Sequence, residues 1–458
     1  MRLPPDKENF FIRHALLAPG MLKKYWLTFF ATLSNSAFLI TMLSQTFYVQ
    51  FQEVYNLTNT QLGFLEGIGS IGGFIGGFVG GFFADRFSPR KLTALGCVVA
   101  FAAAVAEALS SSYFVLILVY IALSFSSNVL LMTPYFKLLK LLGTDEEQGK
   151  IMTFSETAYA IVTLLINYGF LGAISAFNLS FQAALIAVGA INGLVAIGIY
   201  GLFRAPGLTR EEERLKKEAL ERKKSRDVKD AGVEKASGNA LTEFISVLKM
   251  PILWLNVAAT MTMTFYNQVV FTYMNPYLVN VLGIAAATAS LLQITFRNSL
   301  RIVISPFGGT IRDKLNDSTA VVKWFSFGLA AVMVCFALFG ATSLYAYLAL
   351  VVLAGICIYS VTGLQYTLIA DAKVPVKYSG RVWGIVFGLN TLTTLFRGTV
   401  CGSLLDIQGT DGYRTIFLIG LGSCLLCALS AILIRKVIDS GKALGRDIQA
   451  QVDAGTAE

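Results

Sequence analysis

Apolar residues fall into long blocks separated by short polar breaks, from Trp26 to Ile434. A helix needs about 20 residues to cross the ~30 Å hydrocarbon layer of a bilayer, and the blocks have that length. They predict helices near 26–50, 61–84, 92–110, 113–136, 151–176 and 179–203. After a charged stretch from Arg204 to Met250, six more are expected near 252–280, 286–311, 321–341, 344–369, 382–404 and 413–434. The expected fold is an all-α membrane protein of twelve spans in two six-helix halves. Its organisation reads as a polar arm over 1–24, a first half over 25–203, a central loop over 204–250, a second half over 251–436 and a tail over 437–458.

Composition removes the water-soluble alternative, since 458 residues that are 55 % hydrophobic and 14 % charged carry more apolar surface than a soluble fold can hide. A net charge of +9 would suggest nucleic acid in a soluble protein, but here the loops that hold it decide its meaning. Loops after spans 1, 3, 5, 7, 9 and 11 contain no Lys or Arg, and Glu53, Asp406 and Asp411 are their only charges. The other face collects the basic residues, among them Lys23, Arg86, Lys140, Arg312, Lys377 and Arg435. By the positive-inside rule the basic face is cytoplasmic, with both termini inside. The central loop, with twelve Lys and Arg against nine Asp and Glu, reads as a solvated linker with helical stretches.

The six cysteines fall within or beside apolar spans and read as small apolar filler, Cys424 and Cys427 included. His14, the one histidine, lies in the polar arm. No metal-ligand cluster, cofactor motif or phosphate-binding glycine loop is present, so an enzyme is not expected.

The two halves echo each other. Gly81-Phe-Phe-Ala-Asp85-Arg86 ends span 2 and runs on to Arg90-Lys91, while Gly309-Thr-Ile-Arg-Asp313-Lys314 ends span 8. Gly149-Lys150 and Gly380-Arg381 open spans 5 and 11. The first of these stretches resembles the loop 2–3 signature of the major facilitator superfamily, with Ser88-Pro89 where a glycine is common. Leu138 to Lys150 is softly similar to bacterial permeases of the sugar-acid and organophosphate branches. The glycine-proline pair of antiporters is absent from span 5, and spans 1 and 7 lack the arginines of phosphate-ester antiporters. The resemblance implies a secondary active transporter in a bacterial inner membrane that works by alternating access. An exchanger or exporter of the same fold is the alternative, and a non-transporting sensor or receptor the alternative of another class.

A carboxylate at one helix end can accept from the free amides opening another helix. Asp85 is therefore expected to meet the start of span 11 near Arg381, and Asp313 the start of span 5 near Lys150; Arg86, Arg90 and Lys314 complete this expected cytoplasmic latch. Span 2 carries glycines at 69, 73, 77 and 81 and again at 72, 76 and 80, which give it two smooth faces for close helix contact.

Charges at membrane depth are few, and each needs a partner or a wet cavity. Arg297, Arg301 and Arg397 are candidates for an anion site, because the guanidinium fork fits carboxylate, phosphate or sulfonate; a structural pair between Arg301 and Glu156 is the competing use. Glu66 and Glu156 are candidates for proton coupling, whereas Glu107 is expected near the surface. Asn35, Gln45 and Tyr48 in span 1 and Tyr266, Asn267 and Gln268 in span 7 would add polar contacts to a substrate, with helix packing as their alternative role. Asn275-Pro276 should break span 7. The expected partners are a small anionic substrate, a proton as coupling ion and the bilayer, with the protein monomeric.

Overall fold

The computed structural model describes residues 21–143, 145–203, 208–215, 217, 245–315, 317–339, 342–362, 364, 368, 371–372, 374–445 and 448. At some helical positions only the backbone path is described. The latch side chains Asp85, Arg86, Lys150, Asp313, Lys314 and Arg381, and that of Glu156, lie outside the described residues.

All twelve predicted spans are helical. Span 1 runs in pieces, Met21–Thr32, Ser36–Thr46 and Tyr48–Tyr55, and span 2 is Asn59–Arg86. Span 3 is Pro89–Leu109; span 4 joins Tyr113–Phe125 and Thr133–Lys140 through a π-helical stretch, Ser126–Met132; spans 5 and 6 are Asp145–Ser175 and Phe181–Leu202. In the second half, span 7 is Pro251–Thr272 with Met274–Asn280, and spans 8 to 12 are Ala286–Leu315, Ser318–Phe339, Leu344–Thr362, Val376–Gln408 and Gly412–Asp439. Eight stretches of described residues are long and apolar enough to cross a membrane on composition alone, the last of them covering spans 11 and 12 together.

Local sequence sets the ends. Span 2 opens on a capping box in which the Gln61 amide donates to Thr58 Oγ1 at 3.1 Å and the Thr58 amide donates to Gln61 Oε1 at 3.0 Å. Proline begins spans 3 and 7, where its missing N–H would have had no helical partner. Span 7 breaks at Tyr273 (φ −85°, ψ 1°), two residues before the Asn275-Pro276 pair that predicts the break. Span 1 breaks at Phe47 (φ −111°, ψ 44°) without any proline.

The halves meet where span 2 packs on span 11. A Cβ on Gly63 would overlap the main chain of Gly398, one on Gly398 would overlap that of Gly63, and one on Gly402 would lie 2.5 Å from Asn59 O. The other glycine face turns to span 4, where a Cβ on Gly76 would come to 2.7 Å from Asn128 Cβ. Of the glycines in the two expected runs, Gly73 meets Thr391 of span 11 while Gly69, Gly72 and Gly76 meet span 4; the tightest seam contact is made by Gly63, which lies outside both runs. Spans 5 and 8 make a second seam contact through the Tyr168 and Thr295 hydroxyls at 2.8 Å.

At the first half's basic end, the segment after span 6 is tied down. Ser88 Oγ and Arg90 donate to the Glu212 carboxylate, at 2.5 Å and at 3.0 and 3.2 Å. Lys137 Nζ lies 3.0 Å and Arg214 Nη2 2.6 Å from Glu211 Oε1. Burial works to raise the Glu211 carboxyl, but hydrogen bonds from Arg214 and Lys137 outweigh it and hold the group below its ordinary range. Arg90, expected to serve a latch between the halves, is thus engaged with the central loop.

Candidate functional site

A cavity of about 200 Å³ lies at the seam, walled by spans 1, 2, 4, 7 and 11. Thr41, Gln45, Ser70, Asn128, Gln268 and Thr394 give it a hydroxyl and amide surface, and Glu66 is the one charge in that wall among the described residues. A second lobe of about 300 Å³ shares Phe38 and Ser127 with the first and is lined by Asn35, Ser155, Tyr159 and Arg301. Ser127 and Asn128 reach the cavity from the π-helical stretch of span 4, where the widened turn rotates both residues inward.

Glu66 meets Arg397 across the seam. Arg397 Nη2 donates to Glu66 Oε2 at 2.5 Å, with the side chains 0 % and 1 % exposed. Arg397 Nε donates to Gln268 Oε1 at 3.1 Å, and Gln268 Nε2 donates to Thr394 Oγ1 at 2.9 Å. The guanidinium also lies 5.6 Å from the centre of the Tyr273 ring. Glu66 accepts from Ser44 Oγ at 3.5 Å, and Arg297 lies within electrostatic reach of both Glu66 and Tyr359. Arg397 Nη1, buried, has no hydrogen-bond partner among the described residues. A charge pair so deep holds only while each partner compensates the other; the pair joins the halves, and one donor is left over.

The remaining candidates separate by helix face. Gln45 lines the cavity and Asn35 the second lobe, where Arg301 lies 5.9 Å from the Tyr159 ring centre. Thr264 and Gln268, one turn apart, face the cavity. Tyr266, two residues from each, points the opposite way into the second half, towards Ser326 and Cys427. Asn267 is half-buried and outside both lobes. Tyr48 is buried above the cavity, its hydroxyl donating to Asn59 Oδ1 at 3.0 Å. Glu107, expected near the surface, is 1 % exposed because span 1 folds over it: the Tyr55 hydroxyl donates to Glu107 O at 3.1 Å. Among the described residues no group of His, Cys, Asp and Glu could hold a metal ion.

Asp406, read in the sequence only as a loop charge, closes the short-loop side. One carboxylate oxygen accepts from the Asn59 amide and Nδ2 at 2.9 and 2.8 Å, the other from the Thr60 amide and hydroxyl at 2.8 and 2.6 Å. The physics is that of the expected latch, a carboxylate on the free amides of another helix, but it acts at the opposite face. Asp406→Ala is expected to favour opening of the short-loop side about fivefold, a typical capping energy of ~1 kcal/mol, while the cavity stays intact. Labelling of a cysteine at Thr60 by a membrane-impermeant maleimide reads it, and unchanged labelling rates would remove Asp406 from the closure.

Two helical bundles, a polar cavity between them and an ion pair bridging them define a membrane transporter rather than an enzyme. The sequence profile of the Major Facilitator Superfamily matches residues 25–396, and the chain belongs to that family. It is similar to inner membrane protein YihN of Escherichia coli K12, 23 % identical over 91 % of this chain and 97 % of that protein. Inner membrane protein YqcE of the same organism is 22 % identical over 88 % and 92 %. Among solved structures, a bacterial homologue of the human lysosomal transporter Spinster, inward-facing and occupied, superposes with a TM-score of 0.67 at 14 % identity, over 95 % of this chain and 99 % of that one. The protein is accordingly a multi-pass protein of the bacterial inner membrane.

Proposed function

We propose that the protein is a proton-coupled symporter of a small organic anion, oriented with its basic face in the cytoplasm. The observation that carries this reading is the Glu66–Arg397 pair at the cavity, which belongs half to each bundle. A proton on Glu66 cancels its charge and leaves the Arg397 guanidinium without a counter-ion in a dry setting. An anionic substrate then replaces the lost carboxylate, taking the Nη1 donor that is unpartnered beside Glu66. Arg297 adds a second positive charge nearby. Hydroxyls and amides of Thr41, Gln45, Ser70, Asn128 and Thr394 suit a polyhydroxylated body, so a sugar acid or a related phosphate or sulfonate fits best. Release of the proton restores the pair and expels the anion, which couples the two fluxes.

The test is uptake into proteoliposomes of radiolabelled acidic sugars, with neutral sugars alongside, with and without an inward proton gradient. Accumulation of an acid against its gradient is expected in the wild type. Glu66→Gln should keep exchange of internal for external substrate but lose accumulation. Exchange without any proton-driven accumulation in the wild type would instead assign an exchanger, and uptake of neutral sugars alone would remove the anion site.

A further inference from the structure

Gln293 of span 8 is 1 % exposed, and no charge explains its burial. Its Nε2 donates to two main-chain carbonyls, Gln45 O at 3.0 Å and Phe271 O at 2.7 Å. Because both partners are acceptors, the amide is fixed with nitrogen towards them. The two carbonyls stand at matching places: Gln45 comes two residues before the break of span 1 at Phe47, and Phe271 two before the break of span 7 at Tyr273.

An unbroken span 1 would pair Gln45 O with the amide four residues on, that of Val49. Instead the Val49 amide donates to Asn275 Oδ1 at 3.4 Å. Asn275 Nδ2 donates in turn to Ser290 Oγ at 2.8 Å, which also accepts from Gln50 Nε2 at 3.1 Å. Every bond in this small network that starts from span 1 ends on the second half. The network thus stores, in side chains of the opposite bundle, the hydrogen bonds that the break takes out of span 1.

We infer that Gln293 is a positioning residue for the transport cycle: it keeps span 1 broken while the short-loop side is closed, and by leaving Gln45 O it lets span 1 become continuous as that side opens. Its bond to Phe271 O lies within the second half and survives the opening; its bond to Gln45 O crosses the seam and cannot. Once the halves part, Val49 N and Gln45 O are both without partners and pair with each other. Gln45 carries the change into the cavity, because its side chain lines the wall and its Oε1 accepts from Thr272 Oγ1 at 3.4 Å. This assignment stands whatever the substrate or coupling ion is.

The test places spin labels at Glu53→Cys and Ala287→Cys, exposed positions at the short-loop ends of spans 1 and 8, with Cys335 and Cys357 replaced by alanine. Their distance is measured in nanodiscs by electron double resonance. Gln293→Met, which keeps the volume and removes both donors, should raise the ratio of long to short distances about fivefold, the weight of one ordinary buried hydrogen bond. Asn275→Ala, which frees the Val49 amide and the Ser290 hydroxyl but leaves Gln293 in place, should shift the populations the same way and serves where Gln293→Met does not fold. Substrate affinity measured from the short-loop side should rise in both variants while the maximal rate falls. An unchanged distance distribution in either folded variant, or a rate loss with no change in affinity, would overturn the assignment.

Discussion

Arg397→Ala is expected to abolish transport and to lower stability by about 3–5 kcal/mol, the usual consequence of removing one member of a buried ion pair. The loss is large because the Glu66 carboxylate, buried beside Arg397, is left with Ser44 Oγ at 3.5 Å as its hydrogen-bond donor among the described residues. Gln268 loses the donor to its Oε1 at the same time. The double variant Glu66→Gln with Arg397→Gln recovers most of the stability and none of the transport, since two amides can satisfy each other but carry no charge to exchange. Thermal unfolding in detergent, beside uptake in proteoliposomes, separates these two outcomes. A single variant as stable as the wild type would mean that water already compensates the carboxylate, and the pair would lose its place at the centre of the cycle.

Gly398→Leu is expected to hold the short-loop side open. Any side chain there meets the main chain of Gly63, and backbone cannot rotate away as a side chain can. Overpacking of this kind costs about 1–3 kcal/mol, charged only to the closed arrangement, so the open state gains about fivefold to 150-fold relative to the closed one. Substrate binding from the short-loop side should survive and turnover should not. Gly63→Leu should behave alike, and a labelled cysteine at Thr60 should become accessible in both. Wild-type turnover in Gly398→Leu would show that spans 2 and 11 do not need this contact in order to cycle.

The spans were legible because a bilayer imposes one simple rule, an apolar stretch of fixed length, and nine of the twelve meet it outright among the described residues. The glycine faces of span 2 were legible for the same reason, since Gly72 and Gly76 recur at one turn. At the site, sequence could flag Glu66 and Arg397 separately as expensive charges, but not as partners: they stand 331 positions apart, and only the packing of span 2 on span 11 joins them. Tyr266 misled because it lies beside Gln268 in sequence, yet the helix turns the two to opposite sides. Gln293 gave no signal at all. A lone amide in an apolar span reads as ordinary helix glue, and its role depends on two carbonyls made idle by breaks, one of which, at Phe47, no proline announces. Asp406 was likewise visible only as a charge in a loop until the amides of Asn59 and Thr60 were brought to it.

The Gln293 amide also bears on the symmetry of the halves. Phe47 and Tyr273 stand 226 residues apart, close to the 228 between Asp85 and Asp313, so the two breaks fall at matching places in the two halves. A primary amide has two hydrogens, and here each serves one of those places. The matching stretch of span 2, Leu62-Gly-Phe-Leu-Glu66, offers no amide, and beside two symmetric carbonyls there is room for only one such group. A second amide reaching in from span 2 would compete for the same two carbonyls, so the closed arrangement requires the two halves to differ at this place.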